Sequence, residues 1–175
     1  MANIAATRPE ADEYAPYYEK YISLVPQGDV VNTMRKQRND TLTLLRNLSE
    51  KQADSRYAPG KWSLKEVVGH IIDTERIFSH RAFRFARNDQ TPLPGYEQDD
   101  YVREGDFGSH KLTELAADFE YVRRATLSLY SSFNNAAWRR RGVANDNEVS
   151  VRAIAHIITG HEAHHMQIIR TKYLN

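Results

Sequence analysis

Residues 150–174 read SVRAIAHIITGHEAHHMQIIRTKYL, and the period of their apolar positions decides the architecture. Val151, Ile154, Ile158, His161, His165, Ile168 and Lys172 recur at alternating steps of three and four, the spacing that lines one face of a bundle helix. Two histidines thus stand where the seam asks for core. At about 100° per residue, His161 and His165 lie about 40° apart, and His164 falls about 60° to one side of His161, a boundary position. His156 points about 140° away from His161, which predicts a solvated side chain. Side chains four residues apart share a face, so His161 and His165 can direct ring nitrogens at one ion.

Three further segments carry a helical period, with turn chemistry between them. Residues 29–49 follow Pro26-Gln27-Gly28, offer Asp29 as an N-cap, and place Val30, Met34, Leu44, Leu45 and Leu48 on apolar positions, with Gln37 and Thr41 on the same stripe. Residues 63–88 open on Ser63-Leu64-Lys65-Glu66, a capping box, and stop at Asn88-Asp89 before Pro92 and Pro94. Residues 109–133 repeat Leu112, Leu115, Phe119, Val122, Thr126, Leu129 and Phe133 at steps of three and four. Four long amphipathic helices without a convincing period-2 strand predict an all-α fold, a four-helix bundle. Residues 14–175 are expected to form this single domain, with Tyr14, Tyr17, Tyr18 and Tyr21 in a short segment packed on its exterior and residues 1–13 as a flexible N-terminus. The connections exceed minimal bundle loops, so some should cover an end of the bundle or line a site.

Composition narrows the function classes. In 175 residues, 24 Lys and Arg stand against 23 Asp and Glu, a formal charge of +1 that gives no electrostatic case for nucleic acid or an anionic membrane as partner. No apolar run approaches the roughly 18–20 residues of a membrane span. The N-terminus lacks the basic and apolar regions of a secretory signal, and a cytoplasmic protein is expected. With seven His and no Cys, any metal must be held by nitrogen and oxygen ligands.

His70 lies at the border of the apolar face formed by Val67, Ile71, Phe78 and Phe85, with Asp73 and Thr74 close by on the same helix. That border is where a bundle helix meets its neighbour, and axes about 8–10 Å apart let inward imidazoles converge. A lone core histidine is ordinarily a residue with one hydrogen-bonded nitrogen. Two in an aliphatic seam bring four ring nitrogens that burial must satisfy, which favours metal for His161 and His165, whereas His70 by itself reads first as such a core residue and is the candidate third ligand across the seam. Three neutral imidazoles with an open position is the arrangement of catalytic zinc sites. His80, His110 and His156 read as surface residues. His161-Glu162-Ala163-His164-His165 is also a literal HExxH with Glu162 as a candidate general base, but no His, Asp, Glu or Cys follows His165 to complete a zinc peptidase. Otherwise Glu162 is an ordinary surface glutamate or a group behind the ligands. Arg123-Arg124 and Arg139-Arg140-Arg141 read as solvated charge.

Ala58-Pro59-Gly60-Lys61-Trp62-Ser63, Val67 to Arg76, Phe85 to Tyr96 with Gln98-Asp99-Asp100-Tyr101, and Gly160 to His165 occur in an order that resembles the DinB-like (YfiT-like) family of metal-dependent enzymes. The resemblance runs from about Tyr14 to the C-terminus. It implies a four-helix bundle, often a homodimer, holding a divalent ion, commonly zinc or nickel, on three histidines that fall here on His70, His161 and His165. The resemblance implies a small-molecule substrate, its members including thiol-dependent S-transferases and a maleylpyruvate isomerase; the triad itself suits an ion that activates water for hydrolysis or a low-molecular-weight thiol for transfer, a thiol that a chain without Cys must take as cosubstrate. Asp73 and Gln98-Asp99-Asp100 are candidate substrate or supporting contacts by analogy. The remaining alternative is a non-catalytic bundle stabilised by its metal. Ordinary imidazole pKa values predict metal release below about pH 6.

Overall fold

The computed structural model describes residues 5 and 7–174. The α-helices are α1 (Glu19–Ile22), α2 (Val30–Arg46), α3 (Glu50–Ala53), α4 (Leu64–Ala86), α5 (Gln98–Glu104), α6 (Leu112–Ser131), α7 (Asn135–Arg139) and α8 (Val151–Ile168), the last continued by a π-turn over Ile169–Tyr173. The four long ones match the four periodic segments. Their starts follow the expected cap chemistry: Asp29 accepts from the amides of Val31 and Asn32, Ser63 and Glu66 form a reciprocal capping box, and Ser150 accepts from Ala153. Helix α4 stops where Asn88 takes a left-handed conformation, φ 62°.

Around the bundle the packing runs α2, α6, α4, α8 and back to α2. Consecutive long helices α2 and α4, and likewise α6 and α8, are therefore diagonal partners. A tight turn cannot join diagonal helices, so residues 47–63 and 132–150 must cross an end of the bundle. The second crossing holds an element absent from the sequence reading, an antiparallel hairpin of β1 (Arg141–Ala144) and β2 (Asn147–Ser150). Asn145 and Asp146 both adopt positive φ, as a two-residue type I′ turn requires. Each strand has only four residues, too few for alternation to outweigh the helical periods beside them.

The core falls into two apolar clusters. Phe78, Phe85, Val30, Met34, Leu127, Tyr130, Ile154 and Ile158 belong to one. Leu42, Leu45, Val67, Ile71, Leu115, Phe119, Met166 and Ile169 belong to the other. Between them each long helix contributes polar side chains: Gln37 and Thr41 from α2, Glu75 from α4, Arg123 from α6 and Glu162 from α8. Arg123 is fully buried, its Nε and Nη2 donate to the Glu75 carboxylate at 2.8 and 2.7 Å, and its Nη1 lies 2.7 Å from Glu162 Oε2. The same Nη1 donates to the Met34 carbonyl at 3.3 Å, so one guanidinium reaches all four helices. Arg123 thus departs from the solvated run expected of Arg123-Arg124, because its Cα falls on the interior face of α6 while Arg124 stays exposed and pairs with Glu120.

The tyrosine segment packs on α8 through α1. The expectation of a flexible terminus falls partly on residues 1–4 and 6, which lie outside the described residues. Beyond them, Arg8 donates to the carbonyls of Ile22 and Val25, and Glu13 is buried, paired with Arg152 and accepting from Ser150. His156 corrects a second expectation: it is 3% exposed, and its Nδ1 lies 3.0 Å from the Arg152 carbonyl. Helix α8 is packed by α1, α2, α4 and α7, so the face that carries His156 is covered at that level, while Gln167 further along it is exposed.

Candidate metal centre

His70 sits in the second turn of α4, and His161 and His165 in the second half of the antiparallel neighbour α8. The seam between these helices brings the three rings together. Nε2 of His161 lies 3.0 Å from Nε2 of His70 and 3.1 Å from Nε2 of His165. One ligand nitrogen from each residue fits within a 4.8 Å span. Nitrogens bound at about 2.0–2.1 Å around one ion stand roughly 3.0–3.4 Å apart, so these spacings suit a shared divalent cation.

Electrostatics point the same way. Burial pushes the His70 imidazole down to about 4, and burial with the neighbouring His70 and His164 pushes His165 down to about 3. His161 is held well below its ordinary value, first by burial and then by His165 and His70. All three rings are neutral at pH 7 and carry the lone pairs a cation needs. Three lone pairs turned on one point repel unless a shared proton or a cation lies between them. His165 Nδ1 is buried without a hydrogen-bond partner, so that ring is held mainly by packing.

The cover over the histidines is aromatic. The Trp62 ring lies 4.9 Å from His70, and Tyr21 lies 5.3 Å from His161 and 5.4 Å from His164. Two helix-interior glycines permit this closeness. A Cβ on Gly160 would stand 2.0 Å from the Tyr21 carbonyl oxygen, and one on Gly69 would stand 2.3 Å from the Phe107 ring. Each glycine immediately precedes one of the clustered histidines. A helix-interior glycine, costing about 1 kcal/mol against alanine, is itself a sequence signal of close approach. Thr74 lies behind His70, its hydroxyl 3.5 Å from Nδ1 and 2.9 Å from the Tyr96 hydroxyl.

Glu162 is elsewhere. It is 1% exposed, accepts from Thr41 at 2.7 Å and pairs with Arg123, so it is neither a surface glutamate nor a residue lining the cavity beside the histidines. Burial raises its pKa against the opposing pull of Arg123. Consecutive residues point about 100° apart, which sends His161 to the α4 seam and Glu162 to the bundle centre. Asp73 is half-buried and pairs with Arg76 at 3.1 Å. His80 and His110 are exposed, as expected.

A cavity of about 330 Å³ opens against His70 and His161, walled by Tyr18, Tyr21, Tyr96 and Phe78, with Gln98 at its edge. A second, of about 320 Å³, reaches His165 past Trp62 and Tyr173, with Asp99 on its wall. Asp100 pairs with Arg103 on the exposed side of α5. The long connections do line the site, through Gly95-Tyr96-Glu97-Gln98 and the hairpin residues Asn145 and Asn147.

Four helices around a buried polar layer, with three neutral imidazoles meeting on one seam, define a helical-bundle protein with a candidate metal centre. The family model of the DinB superfamily matches residues 33–169, and the chain belongs to that superfamily. Among solved structures it is similar to YfiT from Bacillus subtilis, with a TM-score of 0.65 and 14% identity over 97% of each chain. That protein is described as a probable metal-dependent hydrolase with an unusual four-helix bundle topology. A comparison with curated proteins finds no match. No helix among the described residues is long and apolar enough to cross a membrane.

Proposed function

We propose that His70, His161 and His165 hold one divalent ion, zinc or nickel, and that the protein is a metal-dependent enzyme acting on a small molecule in the adjoining cavity. The reaction is hydrolysis or transfer of a low-molecular-weight thiol. The observation that carries this reading is the convergence of three neutral imidazoles beside a cavity, with Nε2 of His161 3.0 Å from that of His70 and 3.1 Å from that of His165. An ion held there supplies Lewis acidity to a water or thiol placed beside it. The chain's own residues hold the rings and shape the space. Tyr21 and Trp62 shield the imidazoles from water, and Thr74 with Tyr96 fixes the side of His70 away from the cluster. The Glu162–Arg123 pair ties α8 to α6 next to His161 in the chain. Without Cys, any thiol comes from a cosubstrate.

The same reading treats residues 14–175 as one domain that works in the cytoplasm as a homodimer. It also revises the expected acid limit. Buried rings that resist protonation until about pH 4 keep their lone pairs below pH 6, so loss of the ion is expected nearer pH 4. The functional test is chelation followed by assay on ester, amide and phosphoester panels and on thiol transfer to a small electrophile. Activity should vanish, return with zinc or nickel, and stay absent in His165→Ala. Turnover that survives chelation, or that persists in His165→Ala, contradicts the proposal.

A further inference from the structure

The cavity beside the histidines holds a charge with no counter-charge. Arg81 lines it and is only 4% exposed, yet among the described residues no carboxylate pairs with it. Its Nη2 donates to the Pro94 carbonyl at 2.9 Å, and its guanidinium lies 4.9 Å from the Phe78 ring. Those contacts orient the group without neutralising it. Burial raises the pKa of both Tyr18 and Tyr96 beside it, so neither phenol serves as its anion. Asp73 belongs to Arg76, and Glu97 stands exposed at the cavity rim without an ion pair to Arg81. The other arginine buried as deeply, Arg123, is compensated by Glu75 and Glu162. An uncompensated buried charge is costly, and a bound anion is the partner that relieves it.

Helix geometry relates this charge to the histidines. His70, Thr74, Phe78 and Arg81 follow at steps of four, four and three on one face of α4, spanning about 16 Å along the axis. Helical side chains lean toward the N-terminus, which brings the guanidinium back toward His70. The wall between is aromatic.

We infer that Arg81 binds the carboxylate of an elongated monoanionic ligand whose apolar or aromatic body lies along Tyr18, Phe78 and Tyr96 and whose other end reaches the histidine cluster. A single guanidinium presents a planar fork that matches one carboxylate and leaves a dianionic phosphate undercompensated, the more so with Glu97 at the rim. The part played by the ligand's far end rests on the metal-centre reading; the anion site does not.

The test uses phenylacetate, its neutral isostere phenylacetamide, and phenyl phosphate as probes of the full-length protein, with zinc and after chelation. Isothermal titration should give phenylacetate an affinity about tenfold or more above phenylacetamide in both states, and Arg81→Met should erase the difference. Arg81→Lys should keep part of it. Because Arg81→Met removes an uncompensated buried charge, its melting temperature should match or exceed that of wild type. Equal binding of acid and amide, tighter binding of phenyl phosphate, a preference unchanged in Arg81→Met, or no binding of any probe at about 10 mM overturns the proposal. A preference seen only with zinc and retained in Arg81→Met places the carboxylate on the ion, which overturns the Arg81 site and leaves the metal reading intact. A preference independent of zinc in a protein that binds no zinc upholds Arg81 and removes the metal reading.

Discussion

His161 and Glu162 are neighbours in the chain, but one faces a seam of imidazoles and the other a guanidinium. Their separation follows from about 100° of helical rotation, and it gives HExxH a different content from a peptidase motif. Glu162→Gln keeps the acceptor for Thr41 but leaves Arg123 short of one carboxylate in a fully buried layer. We expect a loss of about 3 kcal/mol in urea denaturation with zinc content unchanged. Unchanged stability with lost zinc would instead make Glu162 part of the metal site. His161 and His165 were legible at this scale because imidazoles break an aliphatic seam; His70, at the border of its own helix's apolar face, gave a weaker signal. Arg123 was not: its place on the interior face could be counted, but the two glutamates that make it tolerable come from positions 48 residues before and 39 after it. His156 was misplaced because a wheel has no knowledge of what packs on its polar side.

At the scale of elements, caps and periods predicted the four long helices to within a few residues, since those signals are local. The α1 segment was seen as tyrosines without a position. Gly160 gives it one, because the Tyr21 carbonyl occupies the space of a Cβ. Alanine at an open helix-interior glycine usually gains about 1 kcal/mol. Gly160→Ala should lose about 1–3 kcal/mol in chemical denaturation, since backbone rather than a flexible side chain must move. It should also expose Tyr21 to near-UV circular dichroism. A stabilised Gly160→Ala protein would show that α1 does not sit against α8. The hairpin escaped notice for the opposite reason: four-residue strands carry too little pattern, and only the Asn145-Asp146 turn marks them.

For the whole molecule, the ring order of helices could not be read from the sequence, because loop length alone does not say which pairs are diagonal. Buried histidines make the folded chain sensitive to acid. His70 and His156 are neutral in the fold down to about pH 4, whereas in the unfolded chain they take up protons below about 6.5. Unfolding therefore binds protons in that window, and stability is full above it and lost as pH falls from 6.5 to 4. For His156 alone the loss is roughly 3 kcal/mol, so in chelator His156→Gln should flatten the pH dependence of the urea midpoint by about that amount. An unchanged slope would mean that His156 is wet. The central claim, that the α4–α8 seam holds one divalent ion on three imidazoles, is tested most directly by elemental analysis of zinc-loaded, dialysed protein beside His161→Ala. One ion per chain in the wild type and none in a folded His161→Ala agrees with the account; equal content in both, or none in the wild type, contradicts it.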